Sequence, residues 1–221
     1  MDKIRMRTNA GSIKLRVTTK DGSPCELWNG GKKIAELQSD NWENIAVQNN
    51  AEEIIIKGYD IQELGCDNNQ LTALNASGCT RLQVLYCSYN QLTTLNVNGC
   101  TSLQWLDCSN NQLTTLNASG CTSLQVLYCY YNQLTALNVS GLTSLQHLDC
   151  YNNKLSAEVF KKIFEDLPER KEKCGRVLLY KDGDSNYKDF TQPPELAAAF
   201  KAAKAKGWRL YKINNDDLME L

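Results

Sequence analysis

A phrase of 21 residues is repeated through the middle of this chain. Its fullest copy reads LQWLDCSNNQLTTLNASGCTS from Leu103 to Ser123. The phrase recurs almost letter for letter from Leu82 and Leu124, in part from Leu145, and in a looser form from Ile61. Aligned, the copies separate into columns that hold one residue type and columns that vary. The constant apolar columns are Ile61/Leu82/Leu103/Leu124/Leu145, Leu64/Leu85/Leu106/Leu127/Leu148 and Cys66/Cys87/Cys108/Cys129/Cys150. They are completed by Leu71/Leu92/Leu113/Leu134/Leu155 and Leu74/Leu95/Leu116/Leu137. Leu85 and Cys87, like Leu106 and Cys108, stand two apart, which is the spacing of one face of a β-strand. One repeat of this size cannot bury its apolar side alone, so stability has to come from stacking neighbours.

A fixed period in this range, with L-x-x-L-x-C-x-x-N-x-L inside it, is the signature of a leucine-rich-repeat solenoid. The expected class is therefore α/β: a right-handed solenoid with a parallel β-sheet on one face. The column Asn69/Asn90/Asn111/Asn132/Asn153 follows each strand where the chain turns inward. An amide side chain has two donors and an acceptor, and a buried polar group without partners is costly. These asparagines are therefore read as structural, satisfying backbone groups left open by the turn. The segments Asn75 to Gly78, Asn96 to Gly99, Asn117 to Gly120 and Asn138 to Gly141 are turn chemistry and leave little room for a helix. The second side of each coil is expected to be mostly irregular, and the solenoid slim and gently curved.

The formal net charge is −1 over 221 residues, which gives no footprint for nucleic acid or for an anionic membrane. No apolar run approaches the roughly 18 residues of a membrane-spanning helix. The first residues, Met1 to Arg7, lack the apolar stretch of a secretory signal. That predicts a cytoplasmic chain, or a surface or secreted one if a signal has been removed. Ten cysteines raise the question of disulfides or metal. Five of them fill the inward column, and Cys79, Cys100 and Cys121 form a second line, in which Leu142 takes the next place. That exchange fits a buried free thiol. Side chains on parallel rungs point the same way, which disfavours disulfide torsion. A line of thiols also does not converge on a metal as a tetrahedral site requires. Reduced thiols in a reducing compartment, with no metal and no cofactor, are expected. Cys25 and Cys174, in the flanks, are expected to be free or exposed.

An open stack needs caps. Residues 1–57 alternate like short strands, with Asp21-Gly22 and Asn29-Gly30-Gly31 as hairpin turns and Trp28 and Trp42 as core of a small β cap. Residues 58–155 hold the repeats. Residues 156–221 change period and predict an αβ cap. Ser156 caps a helix through Val159, Phe160, Ile163, Phe164 and Leu167. Val177 to Tyr180 is a strand, a second helix runs from about Pro194 to Lys206 with Gly207 ending it, and Trp208 to Ile213 is a last strand. Asp182-Gly183-Asp184-Ser185-Asn186 has oxygen ligands at alternate positions, as calcium loops do. Pro193 stands where such a loop needs its last acid, so a solvated turn is expected.

Variable columns mark the surface where repeats are free to differ. One reads Glu63, Val84, Trp105, Val126, His147; the next reads Gly65, Tyr86, Asp107, Tyr128, Asp149. A third reads Asp67, Ser88, Ser109, Tyr130, Tyr151, bordered by Asn68, Tyr89, Asn110, Tyr131, Asn152. Together they predict an exposed aromatic stripe with interleaved carboxylates. Such a stripe has the composition of a recognition surface, although stacked aromatics also stabilise a sheet. The predicted contact set is Val84, Tyr86, Tyr89, Trp105, Asp107, Val126, Tyr128, Tyr130, Tyr131, His147, Asp149 and Tyr151. The partner expected is a protein, with a glycan second. The chain should be a monomer with at most weak self-association; the alternative is an assembly role through the same aromatic face. Catalysis is not expected. His147 and Asp149 share a face, but Ser109 is two rungs away and Cys150 points inward, so no nucleophile meets the base.

The phrase Leu-x-Cys-Ser-x-Asn-Gln-Leu-Thr-x-Leu-Asn-x-Ser-Gly-Cys-Thr-Ser-Leu-Gln resembles the leucine-rich repeats of BspA-like bacterial proteins over residues 61–155. The segments Leu155 to Glu158, Asp166 to Pro168 and Lys206 to Trp208 are similar to that group's C-terminal part. The resemblance implies a non-enzymatic binding role of the kind that surface proteins use in adhesion.

Overall fold

The structure is a computed structural model that describes residues 1–47, 52–170 and 175–221. Six strands come first: β1 (Asp2–Thr8), β2 (Ser12–Thr19), β3 (Cys25–Asn29), β4 (Lys32–Leu37), β5 (Trp42–Ala46) and β6 (Ile54–Gly58). Alternation decides which side chains they bury: Ile4 and Met6 from β1, and Ile13, Leu15 and Val17 from β2. The turn at Gly30 and Gly31, both at positive φ, joins β3 and β4 as an antiparallel hairpin. At Asp21-Gly22 the carboxylate accepts the Ser23 N–H and the chain turns. The strands on either side lie in different sheets, so the hairpin expected there does not form.

The tryptophans are not the core of this region, contrary to expectation. Ile45 points inward, so alternation along β5 turns Trp42 outward, where it is 48% exposed. Its ring lies over Gly65, so close that a Cβ there would come within 2.8 Å of it. Trp28 is half-buried, with its Nε1 donating to Glu26 and Lys57 Nζ 3.5 Å from its ring centre. Aliphatic side chains, Leu27, Ile54 and Ile56 among them, fill the space instead.

Each repeat then supplies one strand to a common sheet: β7 (Ile61–Gly65), β9 (Val84–Tyr86), β11 (Trp105–Asp107), β13 (Val126–Tyr128) and β15 (His147–Asp149). They pair in parallel and in register, Leu64 with Leu85, Leu106, Leu127 and Leu148 in turn. A second strand in each of the first four copies corrects the expectation of an irregular far side. These are β8 (Leu71–Asn75), β10 (Thr94–Asn96), β12 (Thr115–Asn117) and β14 (Ala136–Asn138). β8 pairs with β10 and β12 with β14, again in parallel. The Thr/Ala-Leu-Asn tripeptides thus pair across repeats before the Asn-initiated turn begins. No helix occurs between residues 58 and 155.

The N-terminal strands extend both layers. β2 pairs antiparallel with β7, and β1 antiparallel with β8. Beyond the repeats come α1 (Ala157–Asp166), β16 (Gly175–Lys181), α2 (Pro194–Ala205), β17 (Trp208–Asn214) and β18 (Asp217–Glu220). Ser156 caps α1, its side chain accepting the Val159 N–H, and Phe160, Ile163 and Phe164 face the core. β16 and β17 continue the sheet in parallel. β18, which the sequence reading missed, folds back on β17 through Asn215 and Asp216, both at positive φ. The larger sheet therefore has ten strands in the order β18-β17-β16-β15-β13-β11-β9-β7-β2-β5. One apolar cluster runs from Ile4 to Leu210.

Candidate binding face

Two inward ladders hold the strands in register and so fix what the outer face can present. Asn90 Nδ2 donates to the carbonyls of Cys66, Cys87 and Ser88 at 3.0–3.1 Å. Its Oδ1 accepts the N–H groups of Asn69 and Leu71 at 2.9 Å. Asn111, Asn132 and Asn153 repeat the three carbonyl bonds one rung apart, and each Oδ1 accepts one N–H, from Leu92, Leu113 and Leu134 in turn. The ladder has a further rung that the sequence did not reveal. Asn186 donates to the carbonyls of Cys150 and Leu179 at 3.0 and 2.8 Å and accepts the Leu155 N–H at 2.9 Å. It was hidden because the interval after its strand is longer than the Cys150–Asn153 interval of the repeats.

That rung also corrects the reading of residues 182–186 as a solvated turn. The Asp184 side chain is only 1% exposed. Its Oδ2 accepts the N–H groups of Asn152 and Lys181 at 2.7 and 2.9 Å, and its Oδ1 accepts that of Asn186 at 3.0 Å. The carboxylate fastens the loop to the last repeat. Among the described residues no cluster of three or more His, Cys, Asp or Glu is placed to hold a metal ion.

The thiols of Cys66, Cys87, Cys108, Cys129 and Cys150 each donate to a carbonyl of the next strand, at 3.2 to 3.6 Å. Burial pushes the thiols of Cys79 and Cys121 up to about 11 and that of Cys100 to about 12. Cys25 is free and buried, its thiol raised to about 11 chiefly by the same desolvation. Cys174 lies outside the described residues.

On the outer face, Trp105 is flanked by Val84 and Val126, and Asp107 by Tyr86 and Tyr128. The aromatic rings form one connected array. Trp105 meets Tyr86 at 6.4 Å and Tyr128 edge-on at 5.4 Å. Tyr128 meets Tyr130 at 6.2 Å, and Tyr130 stacks on Tyr151 at 4.8 Å with planes 8° apart. Tyr131 stands edge-on to both Tyr130 and Tyr151. Packing this close leaves most of the stripe half-buried rather than fully exposed. Val126 is buried, at 8%, so it supports the face without offering contact area. The open positions are at the border: Tyr89 is 60% and Tyr131 43% exposed.

Those two tyrosines share a backbone feature. Asn68, Tyr89, Asn110, Tyr131 and Asn152 all lie in the left-handed region, with φ between 50° and 57°. Asn tolerates it through its short polar side chain; most other residues lose about 1–2 kcal/mol there. Tyrosine at two of these five places is therefore held against a local preference.

At the other end of the stripe the charges are unbalanced. Burial raises the Asp149 carboxyl to about 6, with Arg176 pulling the other way. Arg176 Nη2 is 3.9 Å from Asp149 Oδ2. Asp149 Oδ1, Arg176 Nε and Trp105 Nε1 are buried with no hydrogen-bond partner among the described residues. His147 is half-buried, and its pKa is lowered by burial and by Arg176. The Ser109 hydroxyl donates to Asp107 at 2.7 Å, which keeps it with that carboxylate and away from His147. The site residues missed in the sequence are Trp42, Arg16 and Arg176. Trp42 and Arg16 lie in the cross-strand row that continues through Gly65, Tyr86, Asp107, Tyr128 and Asp149. The signal was strand parity, with Ile45 inward against Trp42 and Val177 inward against Arg176.

Family models match the repeat region. Residues 101–140 and 122–167 match the family model described as leucine-rich repeats in two copies, and residues 81–103 match a single leucine-rich repeat. The chain carries leucine-rich repeats. No curated protein matches it. Among solved structures, the functional domain of InlJ from Listeria monocytogenes, described as including a cysteine ladder, is 31% identical with a TM-score of 0.45. The match covers 59% of this chain and 27% of that one. The match thus spans about a quarter of that chain's length. Among the described residues, no helix is long and apolar enough to cross a membrane.

Proposed function

We propose that this chain is a non-catalytic binding module of the BspA-like kind that recognises a protein through the outer face of its ten-stranded sheet. Leucine-rich repeats are typically protein-binding modules. In this reading the stack is a right-handed solenoid, with residues 1–57 and 156–221 as caps and residues 58–155 as the recognition surface. The observation that carries the reading is the connected array from Tyr86 to Tyr151, bordered by Tyr89 and Tyr131 in the left-handed column. Structural aromatics could stabilise the sheet from half-buried positions. They give no reason to keep two open tyrosines where asparagine fits better, and backbone strain of this sort concentrates at binding sites. Tyrosine brings large area with a polar tip, the composition of interface hot spots.

The test is capture from bacterial and animal-cell extracts by the intact chain and by a Trp105→Val/Tyr130→Ser variant. Both substitutions bring in a residue the same column already uses, at Val84 and Val126 and at Ser88 and Ser109, so the sheet is preserved. A partner held only by the intact chain is the expected result. Equal capture by both would move the site off this face. A concentration-dependent dimer lost in the variant would favour the assembly role instead.

A further inference from the structure

The charge pattern of the face says what chemistry its partner brings. Between Arg81 and Lys154 the chain contains no lysine or arginine, while Asp107 and Asp149 both stand on the outer face. Several aromatic rings in the flanks are covered by the chain's own cations. Lys57 lies over Trp28, Lys14 over Trp42, Lys188 and Lys212 over Tyr180, and Arg176 and Arg209 over Tyr211, at 3.5 to 5.9 Å. Among the described residues, no ring from Tyr86 to Tyr151 has a cation over it.

The nearby carboxylates are in the same condition. Asp67 Oδ1 accepts the Ser88 N–H and hydroxyl at 2.7 and 2.8 Å, and Asp107 Oδ1 accepts those of Ser109 at 3.0 and 2.7 Å. These bonds hold the two groups in place. Among the described residues neither forms an ion pair. Burial disfavours the charged form of Asp67, and Asp107 adds to the effect; a cation arriving above them would relieve both.

Spacing supplies the slot. Tyr89 and Tyr131 occupy the same column two rungs apart, with Asn110 between them. At about 4.8 Å per rung their backbones are roughly 9–10 Å apart. A cation midway would lie within the roughly 6 Å over which an aromatic face attracts it. The ring of Tyr131 is braced by Tyr130 and Tyr151.

Building on the binding reading above, we propose that the face takes a basic segment of a partner protein, with an arginine side chain seated between Tyr89 and Tyr131 beside Asp67 and Asp107. Arginine suits the place better than lysine because its flat guanidinium stacks on rings and is weakly hydrated. Binding should weaken with salt, since the carboxylates are near the surface.

The experiment is an NMR titration of the whole chain, following tyrosine ring resonances, with acetylated and amidated hexa-arginine, hexa-glutamine and choline as probes. Expected are saturable shifts at Tyr89, Tyr130 and Tyr131 with hexa-arginine and none with hexa-glutamine. A Tyr89→Asn/Tyr131→Asn variant, its amide spectrum confirming the fold, should bind hexa-arginine about tenfold more weakly. Three results would each overturn the inference: no saturable shift, equal binding by the variant, or equal shifts with hexa-glutamine. Tighter binding of choline would reassign the slot to a small quaternary ammonium and overturn the basic segment. If the slot fails while extract capture still depends on Trp105 and Tyr130, the cation is wrong and the face stands. If capture is independent of the face, the binding reading itself fails.

Discussion

Asn110 and Asn111 are neighbours in the chain and opposites in constraint. Asn111 and its equivalents are buried and do not vary from rung to rung, and Asn90, Asn111, Asn132 and Asn153 each bind three carbonyls and at least one N–H. Asn110 and its equivalents stand in the left-handed backbone region, and two of the five are tyrosine. One column closes the turn, so any change there strands several backbone groups at once. The other only has to tolerate a backbone shape, which asparagine does most easily. Where tyrosine replaces it, the surface gains a ring at the expense of local comfort. On the proposed binding reading, the difference separates what holds the repeats together from what they are used for.

The comparison breaks first at the buried column. Asn111→Ala should destabilise the chain by about 3–5 kcal/mol, since it leaves buried partners unsatisfied; urea unfolding measures it. A loss below about 1 kcal/mol would mean that water replaces the amide and that the column is not a fastening.

Asp149 gives the next effect, through pH. Its folded pKa of about 6 lies above the ordinary 3.8, so the folded state holds the proton more tightly than the unfolded chain does. Stability should therefore fall as pH rises from about 4 to 6, with the full penalty, roughly 3 kcal/mol, present above that range. Asp149→Asn should raise Tm at pH 7.5 and leave it unchanged near pH 3.5. A variant less stable at pH 7.5 would show that the contact with Arg176 outweighs burial.

The bordering column should respond least. Tyr89 makes no ring contact among the described residues, so Tyr89→Asn should gain about 0.5–1 kcal/mol by relieving the backbone. Tyr131 also loses two edge-on contacts, each worth about 0.5–1.5 kcal/mol, so Tyr131→Asn should come out near zero or slightly destabilising. A larger loss at Tyr89 than at Tyr131 would contradict the strain assigned to that column.

The same contrast explains how much was legible in the sequence. Periodicity exposed the inward columns, because Leu106, Cys108 and Asn111 answer to the neighbouring rung and are copied with it. It also gave the register that places Trp105 beside Tyr128. It could not show that Val126 is buried, which depends on packing between side chains that vary. Asn186 was hidden by the longer loop before it, although its bonds are those of Asn153. Trp42 was misjudged because its size suggested a core residue, when the parity of Ile45 already turned it outward. Three of the four far-side strands, β10, β12 and β14, are three residues long and too short to stand out from the turns that follow them.

The central claim is that Tyr89 and Tyr131 are kept for binding and not for the fold. The most direct measurement pairs thermal unfolding with partner capture for Tyr89→Asn/Tyr131→Asn beside the intact chain. The account predicts a Tm within a few degrees of the intact chain or above it, with capture lost. A variant that unfolds well below the intact chain, or that captures the partner equally well, would contradict it.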